Sequence, residues 1–240
     1  EFWVFISFFG QLIAGPIMRG ADFLPQIRRA PQQPLIQSDI YFGLYLFALG
    51  LCKKILLADV LGPEADALFG QWADLNGLEA WMAGFLFAFQ IYYDFSAYSD
   101  MAVGIGCFFG FRLRENFRTP YLAANPSEFW SRWHITLSRW IRDYVYIPLG
   151  GNRQGEGRAY LNLVIAMTLS GLWHGAAWTF VVWGLYHGLL SSLHKLWTRH
   201  AVDRFRLGFG GLRWLSSALM FLATTVGWIL FRAPSWEVAA

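Results

Sequence analysis

Two histidines carry the strongest chemical signal in this 240-residue sequence. His174 follows the apolar run 161–173 and lies within Ser170-Gly171-Leu172-Trp173-His174-Gly175. On insertion scales Arg, Lys and Asp at membrane depth cost about 2.5–3.5 kcal/mol, so such groups persist mainly where they work. A neutral imidazole costs less, so a second reading stands beside the first. His174 could be a packing residue, hydrogen-bonded across two helices that Gly171 and Gly175 bring close. His134 lies in Arg132-Trp133-His134-Ile135, among tryptophans. Its alternatives are an interfacial histidine or a proton-transfer group. Imidazole titrates near neutral pH, and a positioned general base contributes about 10²–10⁴-fold.

Asp94 and Asp100 fall in the polar-aromatic stretch 92–100. Six residues apart, they do not share a face of an ideal helix, so a carboxylate dyad requires the helix to break. They could line a polar cavity, orient a histidine or pair with a nearby arginine. Other patterns are weak. Gly104-Ile105-Gly106 lacks the third glycine of a dinucleotide fingerprint, and 149–153 lacks the Lys-Ser/Thr of a P-loop and reads as a turn. His187 and His194 share a helical face without a third ligand in register, so no metal site is expected.

The elements that must position these groups are membrane elements. Hydrophobic residues make up 56% of the chain and charged ones 15%, against about 25% charged in an ordinary soluble domain. Aromatics at 19% exclude a disordered chain. Cys52 and Cys107 lie in apolar runs and offer no disulfide framework. A dispersed net charge of +3 excludes a nucleic-acid footprint. The sequence runs from Glu1 straight into apolar residues and stops at Ala240 without a terminating signal, so it reads as an internal piece of a longer polytopic protein.

A spanning helix needs about 20 mostly apolar residues. Candidate runs are 2–18, 40–58, 78–111, 159–194 and 211–231. Run 78–111 holds Gln90, Asp94 and Asp100, which predicts a helix followed by a broken or re-entrant piece. Run 159–194 predicts two helices meeting near His174-Gly175. Sixteen of the nineteen basic residues fall in 19–39, 112–158 and 195–213, while 59–79 carries five acidic residues and no basic one. By the positive-inside rule the three basic segments face the cytoplasm and 59–79 faces outward. Lys53 and Lys54 sit near the outer end of their run, where snorkelling accommodates them.

Segment 125–144 reads as one amphipathic helix in the membrane interface. Asn125, Pro126 and Glu128 match an N-cap, first-turn proline and capping box. Trp130, Trp133, Leu137, Trp140, Ile141 and Tyr144 recur on one face; Glu128, Arg132, Arg139, Arg142 and Asp143 take the other. His134 sits at the edge of the aromatic face. One histidine on this cytoplasmic-side helix and another toward the outer end of a span suggest a reaction that draws reactants from both faces.

Four stretches together resemble the membrane-bound O-acyltransferase superfamily, in the branch of the alginate O-acetyltransferase membrane subunit. They are 9–17, 92–100 continuing to Gly110-Phe111, 129–140 continuing through 146–153, and 169–180. The pattern departs at Gly10, where the family usually has Pro, and at Ala97, where Gly is common. The resemblance implies an all-α, polytopic fold with re-entrant and interfacial helices around a tunnel, one domain over 1–240 that is incomplete at both ends. It makes His174 the essential catalytic residue and His134 the second signature position. Asp94, Asp100, Arg132, Trp133 and Trp173 are then expected to support substrate binding. It further implies acetyl transfer from a cytoplasmic thioester such as acetyl-CoA, with no tightly bound cofactor. The acceptor would be an extracytoplasmic hydroxyl, in alginate-like polysaccharide, teichoic acid or peptidoglycan. The implied setting is the bacterial inner membrane, with a periplasmic esterase-like partner and a polysaccharide synthesis complex. A transporter is the competing class, since broken helices with midplane carboxylates suit one. The sequence shows no internal repeat to support it.

Overall fold

The computed structural model describes residues 1–12, 15–32, 34–202 and 212–233. Every regular element among them is helical. The principal helices are α1 (Phe2–Ser7), α2 (Phe9–Leu12), α3 (Gly20–Arg29), α4 (Gln37–Lys53), α5 (Asp59–Gly70), α6 (Gly77–Phe108), α7 (Pro126–Trp130), α8 (Ile135–Ile141), α9 (Glu156–His174), α10 (Trp178–Trp197) and α11 (Arg213–Arg232).

The all-α expectation agrees with this, but the span pattern is coarser than predicted. Among the described residues one helix, α11, is long and apolar enough to cross a membrane by length and composition. Run 2–18 is not a span-length helix. The backbone turns extended at Phe8 (φ −66°, ψ 106°) and leaves two short helices. Run 78–111 corrects the other way, because α6 is continuous for 32 residues and shows no re-entrant break. Run 159–194 divides as expected, with α9 ending on His174 and α10 starting at Trp178.

The chain divides into two compact units. The first comprises Glu1–Glu64, Phe89–Arg118 and His134–Leu137. Here α4 lies antiparallel on the second half of α6 at backbone contact. A Cβ added to Gly43 would stand 2.7 Å from the Gly104 carbonyl oxygen, and one on Gly50 would stand 2.6 Å from that of Ala97. Close approach at small residues is how membrane helices gain packing energy when lipid removes the hydrophobic drive. Phe8, Met18, Phe23, Phe111 and Leu113 form a buried apolar cluster in the same unit. Gln26 and Arg112 clasp its edge. The Gln26 amide donates to the Arg112 carbonyl, and the Arg112 N–H donates back at 2.7 Å.

The second unit comprises Ala65–Ala88, Thr119–Trp133 and Ser138–Ala240. Its centre is the antiparallel α9–α10 pair. A Cβ on Gly171 would stand 2.1 Å from the Phe180 carbonyl oxygen, and one on Gly184 would stand 2.4 Å from that of Met167. Only glycine permits this approach. On α10 and α11, Trp183 and Trp228 stack with centroids 6.1 Å apart, and the Tyr186 hydroxyl donates to the Ala223 carbonyl at 2.8 Å. Phe85 on α6 stacks on Phe221 of α11.

Segment 125–144 is not one helix. Asn125 caps α7 as expected, its side chain accepting from the Glu128 N–H at 2.8 Å. The Glu128 carboxylate reaches back to the Ala124 N–H instead of the cap residue's own. The helix then stops after Trp130 and restarts at Ile135, with His134 in the left-handed region at φ 41°. The restart is held from outside the segment. Asn116 accepts the Ile135 N–H on its carbonyl and the Thr136 N–H on its side chain, satisfying orphan donors at the start of α8. The expected aromatic face is therefore split: Trp133, Leu137 and Ile141 are buried, while Trp140 and Tyr144 are exposed.

Candidate active site

His134 and His174 fall in different compact units. His134 is 3% exposed, and its ring meets Phe95 edge-on with centroids 4.7 Å apart. A positive φ at a non-glycine residue costs about 1–3 kcal/mol and persists where its surroundings over-determine it, often at active sites. Here the surroundings are a buried polar knot. The Asn116 side chain accepts from the Thr136 hydroxyl at 2.6 Å and donates to Ser99 at 3.3 Å. The Thr136 hydroxyl in turn accepts the Ile17 N–H at 2.9 Å. Asn116 was not legible as a site residue, because its partners are 17 and 20 positions away.

Asn116→Leu removes an amide that satisfies several buried groups while keeping the branched shape of the side chain. Each orphaned buried partner costs about 1–3 kcal/mol, so this variant should lose the His134 backbone geometry and unfold at a clearly lower temperature. Thermal unfolding of the protein in detergent against Asn116→Asp, which keeps the acceptor oxygen, checks it.

Asp94 and Asp100 do not form a dyad, and their partners are lysines of the neighbouring helix pair. Lys53 Nζ lies 2.6 Å from Asp100, and Lys54 Nζ lies 2.7 Å from both Asp94 and Asp59. These pairs give the intact α6 its physical reason, since each carboxylate is matched without unwinding the helix. They also replace snorkelling as the account of Lys53 and Lys54.

Arg132 pairs with Glu128, which also takes Arg213 at 3.0 Å. Burial alone would push the Glu128 carboxyl up. The Ala124 N–H, Arg132 and Arg213 outweigh it and hold the group below its ordinary value. The structure thus places Arg132 in a charge cluster that anchors α7. Trp133 is 3% exposed and packs on Trp228, centroids 4.7 Å apart.

His174 ends α9 in an aromatic enclosure. Trp183 and Phe231 meet its ring edge-on at 5.3 and 5.1 Å, Trp173 at 5.1 Å, and Phe180 lies at 6.2 Å. Gly175 lets the chain turn tightly here: a Cβ on it would strike the Phe180 ring at 2.7 Å. Trp173 and Trp178 flank the turn and are 55% and 75% exposed. Among the described residues no carboxylate hydrogen-bonds His174. A neutral imidazole offers one donor and one acceptor, enough to take a proton from a hydroxyl. The rings from α10 and α11 that frame His174 lie 6 to 57 positions downstream, beyond what spacing could reveal.

Among the described residues no group of three His, Cys, Asp or Glu side chains is placed to hold a metal ion. His187 is buried among aromatic rings, and His194 lines a cavity of about 740 Å³ with Leu190, Leu193 and Met220.

The family model for membrane-bound O-acyltransferases matches residues 1–230. A peptidoglycan O-acetyltransferase of Helicobacter pylori is 44% identical over all of this chain and 45% of its own length. A probable alginate O-acetylase of Pseudomonas putida is 41% identical over all of this chain and 47% of its own length. A teichoic acid D-alanyltransferase of Streptococcus thermophilus is 27% identical over 83% of this chain and 51% of its own. The chain spans about half the length of these relatives. It belongs to the membrane-bound O-acyltransferase family.

Proposed function

We propose that the protein transfers an acetyl group from a cytoplasmic thioester, with acetyl-CoA as the donor, to a hydroxyl of an extracytoplasmic polysaccharide of the alginate type. The observation that carries this is His174: an imidazole with no carboxylate partner among the described residues, framed by four aromatic rings at the end of α9. His174 accepts the proton of the acceptor hydroxyl as its oxygen attacks the thioester carbonyl carbon. The C–S bond breaks, the sulfur leaves with the proton returned by His174, and an ester and a free thiol remain. His134 helps to position or polarise the thioester, from a backbone that the Asn116 network holds in place.

Two of the relatives are named for O-acetylation, which supports acetyl as the group moved. The 44% identity to a peptidoglycan O-acetyltransferase favours a second acceptor, the glycan of peptidoglycan. The proposed setting is the bacterial inner membrane, crossed several times, with a periplasmic esterase-like partner and a polysaccharide synthesis complex. Asp94 and Asp100 act here through the lysine pairs that keep α6 intact.

Ester analysis of the host's polymers separates the acceptors. Deleting the gene should remove alkali-labile acetate from secreted polysaccharide and leave peptidoglycan acetylation unchanged. Loss from peptidoglycan alone would establish the second acceptor. No loss from either would contradict the proposed function.

A further inference from the structure

His187 is fully buried, and neither of its ring nitrogens has a hydrogen-bond partner among the described residues. The indole nitrogens of Trp130, Trp183 and Trp228 are buried and unpartnered in the same way. His187, Trp130 and Trp183 touch one another, and Trp228 joins them through Trp183. His187 meets Trp130 at 5.2 Å and Trp183 at 5.1 Å between centroids, and Trp183 stacks on Trp228. Packing alone would be served as well by phenylalanine, which strands no polar atom. Buried polar groups in folded proteins are hydrogen-bonded almost without exception, and each exception needs a cause.

The inventory of the cluster limits what can satisfy it. Indole nitrogens only donate, and a neutral imidazole adds one donor and one acceptor. The matching group is rich in acceptors, such as a carbonyl, or is an amide that supplies a carbonyl and one N–H. Position narrows the choice. Trp183 touches both His187 and His174, so the cluster is one ring away from the proposed base. His187 lies nine residues into α10, roughly 13 Å along its axis, and is walled by large rings. Rings this close exclude a sugar polymer and leave a slim arm as the occupant to consider. Nε2 is already backed by α11, where a Cβ on Gly227 would stand 2.5 Å away, which leaves Nδ1 and the indoles to meet a ligand.

We propose that His187, with Trp130 and Trp183, forms a buried hydrogen-bonding station that holds a carbonyl or amide of the acyl donor's arm beside His174. This rests on the acetyl-transfer reading and adds donor-binding residues to it. The test is calorimetric binding of acetyl-CoA and of S-acetylpantetheine to the full chain in lipid nanodiscs. His187→Phe should weaken both by about tenfold or more, and His187→Gln should restore binding to within about threefold of wild type. Trp130→Phe and Trp183→Phe keep an aromatic ring and remove the indole N–H with the rest of the pyrrole edge, so each should weaken binding even if His187→Phe fails to fold. Wild-type affinity in these variants would make the cluster a packing or structural-water feature and overturn this proposal alone. Failure of the wild type to bind either thioester would overturn the acetyl-transfer reading and this proposal with it.

Discussion

His174→Ala should abolish polymer acetylation while the protein inserts and accumulates at normal levels. Loss of a positioned general base costs about 10²–10⁴-fold, which in an end-point ester assay reads as no product. The variant should fold. His174 occupies the last position of α9, so its truncation does not interrupt the helix-to-helix glycine contacts at Gly171 and Gly184. His174→Gln, which keeps a hydrogen-bonding group but cannot take the proton, should be equally inactive. Donor affinity should stay near wild type in both, because only the group that accepts the hydroxyl proton is missing. Acetylation retained by His174→Ala would show that the residue packs and does not react.

His134→Ala should instead impair use of the donor, seen as weaker acetyl-CoA binding or slower thioester cleavage in purified protein. An effect of one to two orders of magnitude is expected, on the order of a lost buried charge-assisted or neutral hydrogen bond together with misplacement of the reacting carbon. The left-handed backbone at His134 complicates truncation, since alanine tolerates φ near 41° poorly. His134→Asn is the informative partner. Asparagine adopts that conformation readily, so its variant keeps the α7–α8 break and removes the imidazole. If His134→Asn binds and cleaves donor like wild type, the imidazole is not used. If His134→Ala and His174→Ala lose donor binding equally, the division of labour between them is wrong.

How much of this could be read from the sequence depended on the range of the interactions. The α9–α10 division, the α11 helix, the cap at Asn125 and the end of α9 at His174 rest on local patterns and were legible, whereas His134 lies in a helix break and not on the continuous helix expected. The single helix expected over 125–144 failed because Asn116, a residue outside the segment, supplies the acceptors that let the chain restart at Ile135. The break expected in α6 failed for the complementary reason. Asp94 and Asp100 meet Lys54, just past the end of α4, and Lys53, its last residue, 40 and 47 residues away, so no unwinding is needed. Both lysines are misfits in the charge pattern, near the outer end of their run, and that misfit is the signal the sequence carries. The ring enclosure of His174 and the stranded nitrogens around His187 depend on three helices meeting and left no mark in spacing.

The most direct test follows the acetyl group itself. Protein reconstituted in sealed vesicles would receive acetyl-CoA labelled in the acetyl carbon on the cytoplasmic side and a hydroxyl-bearing polysaccharide on the other. Mass spectrometry of the recovered polymer, beside a thiol assay, should show ester-linked label and free CoA in equal amounts. His174→Gln should yield neither product above background while still binding donor. Wild-type protein that binds acetyl-CoA yet places no label on any polysaccharide offered, or a His174→Gln variant that labels it at the wild-type rate, would contradict the account.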